Sequence, residues 1–257
     1  MPSKPESVAI YLEAGARRTF ASAVDRPGWS RGGRNEQEAV AALAGYGDRY
    51  SAVVRSVVST FKAPTDASAF KIVKRLKGGS GTDFGVPSLG LPSDGEPIAA
   101  AELERLTRIL EACWSAFDRA AKSAKGLELR KGPRGGGRDL DKIAAHVIEA
   151  DQAYIVQLGA RPPKDAAGRQ VRPKDLHDAM LEALSARARG RPVADPSRAK
   201  TLWTPRYFAR RVAWHVLDHA WEIEDRAIAG DLLDVVPVRM PKGKRRPSDL
   251  VSEGRGS

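Results

Sequence analysis

The apolar positions of the chain change period near its middle. Val8, Ile10 and Leu12 alternate with small or polar neighbours, the period of a half-buried strand. Ala14-Gly15-Ala16 can turn the chain, and Thr19–Val24 (TFASAV) reads as a second strand. Pro27-Gly28-Trp29 and Gly32-Gly33 mark turns or a short third strand. Asn35 with Glu38 three positions later is a capping pattern. One helix is predicted behind it, with Val40, Leu43, Tyr46, Tyr50, Val53 and Val57 on one face. Ala69–Leu76 (AFKIVKRL) predicts a further strand, and Lys77–Glu96, rich in Gly, Pro and Ser, predicts a connecting loop.

From about Pro97 the period becomes helical. Leu103, Leu106, Leu110, Cys113, Phe117 and Ala121 step by three or four, the mark of a long helix. Asp139 can cap the next helix, with Leu140, Ile143, Val147, Tyr154 and Leu158 inward and Gly159 as the stop. A shorter helix is expected from about Asp175 to Gly190. The last opens at Thr204-Pro205, a cap followed by proline in the tolerated first turn, and closes at Gly230. The fold class is therefore α+β: a small N-terminal β-β-α unit over 1–76, a linker over 77–96, a four-helix bundle over 97–230 and a basic, unstructured tail over 231–257.

Composition narrows the function. The hydrophobic fraction of 42 % is ordinary for a globular chain. No window approaches the roughly 20 apolar residues that span a bilayer, so no membrane partner is expected. The N-terminus lacks a secretory apolar core, which predicts a cytoplasmic protein. The single cysteine, Cys113, excludes an internal disulfide and a multi-thiolate zinc site within one chain, and reads as core filler. The formal net charge of +11 allows an anionic partner. That charge is scattered through loops such as Arg130–Arg138 and the tail, with no DNA-reading motif.

The chemistry gathers in Arg211–Arg226, RVAWHVLDHAWEIEDR. His215 and His219 are four apart, hence one turn apart on one helix face. They share a stripe with Phe208, Val212 and Ile223, where core side chains would stand. A buried imidazole left without partners costs on the order of 1–3 kcal/mol each, and a shared metal satisfies the pair directly. His146 borders the inward face of another helix. If the two helices are neighbours, three imidazoles converge, and zinc accepts three such nitrogens with a fourth position left for water. The competing reading is that each histidine is an ordinary hydrogen-bonded residue. Glu149 and Glu222, each three residues after a histidine, are candidate catalytic carboxylates, as imidazole orienters or proton-transfer groups; solvated charges are the alternative. His177 reads as a surface residue, Asp218 as an outward charge, and Trp214 and Trp221 as seals of the bundle. Arg130, Lys131, Arg134 and Arg138 could hold an anionic substrate, and GPRGGG lacks the ending of a phosphate-binding loop.

DKIAAHVIEADQAYIVQLG (Asp141–Gly159) and TPRYFARRVAWHVLDHAWEIEDR (Thr204–Arg226) together resemble the DinB-like (DinB/YfiT) metalloprotein superfamily. That resemblance implies His146, His215 and His219 as metal ligands in a four-helix bundle. It implies a divalent metal, zinc first, with nickel or iron as alternatives. It also implies activation of a low-molecular-weight thiol or water, for thiol transfer, isomerisation or hydrolysis of a small-molecule substrate. A homodimer is compatible with it. VAIYLEAG…RTFASAVDRPGWSRGGRNEQEAVAAL resembles, loosely, the HicB-like module of antitoxin-type proteins. The alternative function is accordingly a non-catalytic protein whose basic loops and N-terminal unit bind an anionic or nucleic-acid partner.

Overall fold

The computed structural model describes residues 7–59, 61–64, 66–131, 137–191 and 202–227. The fold is mixed α+β. Strands β1 (Val8–Ala14), β2 (Thr19–Ala23), β3 (Ser30–Gly33) and β4 (Phe70–Lys77) form one sheet in the order β3-β2-β1-β4. β1 runs antiparallel to β2, with Leu12 opposite Ala21, and parallel to β4, with Ile10 opposite Ile72. The helices are α1 (Glu36–Gly45), α2 (Gly47–Val54), α3 (Ser80–Phe84), α4 (Ala100–Ser123), α5 (Leu140–Gln157), α6 (Pro173–Ala188) and α7 (Pro205–Arg226).

Alternation along β1 predicts one covered face, yet Ile10, Tyr11, Leu12 and Glu13 are all buried. Both faces of β1 are covered: Arg210 lies over Tyr11 on the face opposite Ile10 and Leu12. Ile10 and Leu12 enter the main core. Glu13 turns to the loop after β4, where it accepts hydrogen bonds from the Thr82 and Ser88 hydroxyls and from the backbone N–H groups of Ser88 and Leu89. A buried carboxylate needs such donors, and here they tie 77–96 to the sheet. That stretch is more than a connecting loop, for it contains α3 and a short 3-10 turn at Pro92–Gly95.

The single helix predicted behind Asn35 is two. Asn35 does cap α1, its side chain accepting from the Glu38 N–H at 2.8 Å. The chain then breaks at Tyr46 (φ −95°, ψ 3°) and restarts at Gly47, whose added Cβ would lie 2.6 Å from the Ala63 Cβ. Leu43 and Tyr50 are buried as the stripe predicts, Val40, Tyr46, Val53 and Val57 pack against the core partly buried, and Ala39 and Val54 are buried beside them. Trp29 anchors this unit: it stacks on Tyr50 with centroids 5.5 Å apart, and its Nε1 donates to the Leu43 carbonyl at 2.8 Å.

The long helices begin where their caps predict. Asp139 accepts from the Lys142 N–H at 2.9 Å, and Thr204 caps α7 ahead of Pro205. α7 packs against α4, α5 and α6, and its residues Phe208–Leu217 include only one, Arg211, that is not buried. A helix covered nearly all round is an interior helix. The Pro27-Gly28 turn lies against it; Gly28 has φ +92°, and a Cβ there would meet Leu217 at 2.9 Å. One continuous hydrophobic cluster therefore takes in Leu12 and Trp29 from the sheet unit with Ile109, Ile143, Leu184 and Phe208 from the helices. Trp214 and Trp221 do not seal helix against helix. Trp214 meets Phe20 of β2 edge-on, and Trp221 lies 5.1 Å from Tyr46 with Arg31 and Arg49 over it. Both cover the seam between α7 and the sheet unit. The described part of α7 ends at Arg226, and the tail assigned to 231–257 lies outside the described residues. No helix among the described residues is long and apolar enough to cross a membrane.

Candidate metal centre

His215 and His219 stand one turn apart on α7, with ring centroids 4.7 Å apart. His146 of α5 meets them, at 5.1 Å and 5.0 Å from the two rings. One nitrogen from each lies within 4.8 Å of the other two. α5 packs against α7, and the segment leading into α5 is tied to the end of α7. Arg226 donates from Nε to the Arg130 carbonyl at 2.9 Å and from Nη2 to the Arg138 carbonyl at 2.7 Å, and the Arg130 N–H bonds the Arg226 carbonyl.

The Nε2 atoms of His146 and His215 are 3.3 Å apart. Two zinc–nitrogen bonds of about 2.05 Å opened to a tetrahedral angle separate their nitrogens by roughly 3.3 Å, so the pair fits a single ion. His219 turns its Nδ1 to Glu222 Oε2 at 2.8 Å, which leaves Nε2 free on the other side of the ring. Glu222 is in turn held by Arg226 through its other oxygen. This is the carboxylate–imidazole arrangement that fixes tautomer and ring orientation in metal sites.

The electrostatics favour the neutral form of His215 and His146. Burial pushes His215 down to about 2, helped by the charges of His219 and Arg211. Burial, then Arg138 and His219, lower His146. A neutral imidazole is the form that ligates a metal. The hydrogen bond from His219, with Arg226 behind it, holds the Glu222 carboxyl below the usual carboxylate range.

Glu149, the other candidate carboxylate, is exposed and touches His146 only through its charge. Asp218 faces outward and pairs with Arg31 at 2.9 Å. Arg130 and Arg138 are exposed at the tie between α5 and α7, and Arg134 lies outside the described residues. A cavity of about 630 Å³ lined by Asp94, Glu102, Arg105, Arg206 and Arg210 includes none of the three histidines. It lies where the sheet unit meets the starts of α4 and α7.

His177 is not a surface residue. Its ring stacks on Trp114 with centroids 4.1 Å apart and 7° between planes, and its Nε2 lies 3.2 Å from Asp151 Oδ2. Trp114 Nε1 donates to the same oxygen at 3.1 Å. Asp151 is fully buried, and burial raises its pKa against the pull of His177 and Trp114. His177, Met180 and Leu184 step by three and four, a spacing that marks one inward face, whereas the polar neighbours Lys174 and Asp178 pair with each other on the outside. Two further residues escape sequence reasoning as site residues. Tyr154 reads as core but lies 5.6 Å from the His215 ring, and Arg211 stands one turn before His215 with its guanidinium over Tyr154. The Arg211-His215 spacing of four is a signal that could have found the second.

Comparison with protein-family models, curated proteins and solved structures finds no match to this chain.

Proposed function

We propose that this chain is a divalent-metal-dependent enzyme of the DinB-like class. In this reading α4, α5, α6 and α7 are its four-helix bundle, and His146, His215 and His219 hold one ion, zinc first and nickel or iron as alternatives. The observation that carries it is the meeting of three imidazole groups from two helices, with two Nε2 atoms at 3.3 Å. Three protein nitrogens leave a tetrahedral ion one further position, the difference between a reactive and a closed structural site. A divalent ion held there supplies Lewis acidity, bringing the pKa of water or a low-molecular-weight thiol toward neutrality for hydrolysis, isomerisation or thiol transfer.

The chain's own residues supply the rest. Glu222 accepts a hydrogen bond from His219 Nδ1–H and aims Nε2 at the site, and Arg226 holds Glu222 in place. Glu222 is thus committed as a positioning group. Glu149, exposed on the turn after His146, is the carboxylate left to exchange protons with solvent. Tyr154 and the stem of α7 cover the buried side of His215 and exclude water there.

Metal content after zinc loading and desalting tests the reading. Native protein is expected to hold one equivalent, and His146→Ala, His215→Ala and His219→Ala much less. Equal content in all four proteins would end it.

A further inference from the structure

Arg211 is the charge at this site that no described residue neutralises. Its guanidinium carbon lies over the rings of Tyr154 and Trp214, 5.4 Å and 4.8 Å from their centroids. Its Nη1 is buried without a hydrogen-bond partner, and among the described residues no carboxylate lies within ion-pair distance of it. Every other α7 arginine is engaged: Arg206 by Glu102, Arg210 by Asp94 and Arg226 by Glu222. A guanidinium cannot shed its proton, so a partly buried one needs a counter-charge or acceptors.

A second orphan lies one turn away. His215 Nδ1 is buried without a partner. When Nε2 serves a metal, Nδ1 carries the hydrogen and is a donor in want of an acceptor. Tyr154 stands between the two residues, its ring 5.6 Å from that of His215. Unmatched donors, an uncompensated guanidinium and a divalent ion held by three neutral imidazoles all require negative charge. The negative groups near the imidazoles are Glu222, already shared between His219 and Arg226, and exposed Glu149.

We infer that Arg211 seats a carboxylate group of the substrate beside the metal ion. The assignment rests on the metal-centre reading and adds to it the substrate class: a small organic acid. A guanidinium laid against aromatic faces presents its edge as a planar fork, which matches a planar carboxylate in a bidentate pair. The substrate's reactive carbon is thereby held next to the ion while Tyr154 and Trp214 keep the fork in place.

The test uses zinc- or cobalt-loaded full-length protein, with metal content measured first. Succinate binding is then followed by calorimetry and by the visible spectrum of the cobalt form, with methylphosphonate as comparator. Native protein is expected to bind succinate saturably. Arg211→Gln should weaken it roughly tenfold to a hundredfold, the worth of a charge-assisted pair, while retaining its metal. Arg211→Lys, which keeps charge but loses the fork, should also weaken it with metal retained, and this variant stands as the test where the glutamine form does not fold. Failure of the native protein to hold metal overturns the metal centre and this assignment together. Metal held with no saturable succinate binding, or with affinity unchanged in both variants, overturns the assignment alone. Arg211-dependent binding of methylphosphonate in preference to succinate replaces the carboxylate with a tetrahedral anion and overturns the stated class.

Discussion

Replacing Glu222 by glutamine keeps the shape of the side chain and removes its charge. In the native protein one oxygen accepts from His219 Nδ1 at 2.8 Å and the other holds Arg226. A hydrogen bond to a charged acceptor is worth about 1.5–3 kcal/mol and one to a neutral acceptor about 1 kcal/mol, so the substitution forfeits on the order of 1 kcal/mol of orientation. Partners that orient metal-bound imidazoles are typically worth about 10- to 100-fold in affinity. With the Glu222 side chain 32 % exposed, solvent screening places it at the lower end. Zinc affinity is expected to fall about tenfold, close to 1.4 kcal/mol, in competition against a chromophoric chelator at neutral pH. Glu149→Gln is the control. That carboxylate is exposed and acts on His146 through space alone, so its loss should change affinity by less than about twofold. Unchanged affinity in Glu222→Gln, or an equal loss in Glu149→Gln, would refute the division of roles between the two carboxylates.

Three further outcomes follow from the packing. Asp151 has a folded pKa raised by burial, so the folded state holds its proton more tightly than the unfolded chain. Its contribution to stability is therefore greatest in acid and is lost as pH rises through the folded pKa. The stability difference between native protein and Asp151→Asn, measured by urea unfolding from acid to neutral pH, should shift in favour of the variant as pH rises; a constant difference contradicts the account. Gly28→Ala must place a Cβ at φ +92° and 2.9 Å from Leu217, which should cost about 2–3 kcal/mol of unfolding free energy, read as a lower denaturant midpoint at unchanged m-value. Native-like stability would mean that the turn does not rest on α7 as described. Arg206 donates to both Glu102 oxygens and to the Ser93, Glu96 and Pro97 carbonyls. Arg206→Ala should therefore destabilise by about 2–3 kcal/mol, and a change below about 0.5 kcal/mol, the range of ordinary surface substitutions, would show the clamp to be idle.

Much of the local structure is legible in the amino-acid sequence because its causes are local. The caps at Asn35, Asp139 and Thr204, the strand periods near β1 and β2, and the helical stripes of α4 and α5 each depend on residues a few positions apart. The His215-His219 pair belongs to the same category, since one helical turn suffices to bring the two together. What lies beyond the sequence depends on which faces meet. That both sides of β1 are covered, making Glu13 a buried anchor, depends on Thr82, Ser88 and Leu89 folding back onto it from 69 to 76 positions away. The close approach of Ala63 to Gly47, which leaves no room for a Cβ at the start of α2, comes from outside the helix. The partial burial of His177 depends on Trp114 and Asp151 arriving from two other helices. His146 reaches the α7 pair through the packing of α5 on α7, with Arg226 tying the segment before α5 to the end of α7, and around Arg211 it is Tyr154 and Trp214, not a carboxylate, that close. Periodicity encodes which face of an element turns inward; the tertiary packing alone decides what that face meets, because its contacts join residues tens of positions apart whose pairing no local rule carries.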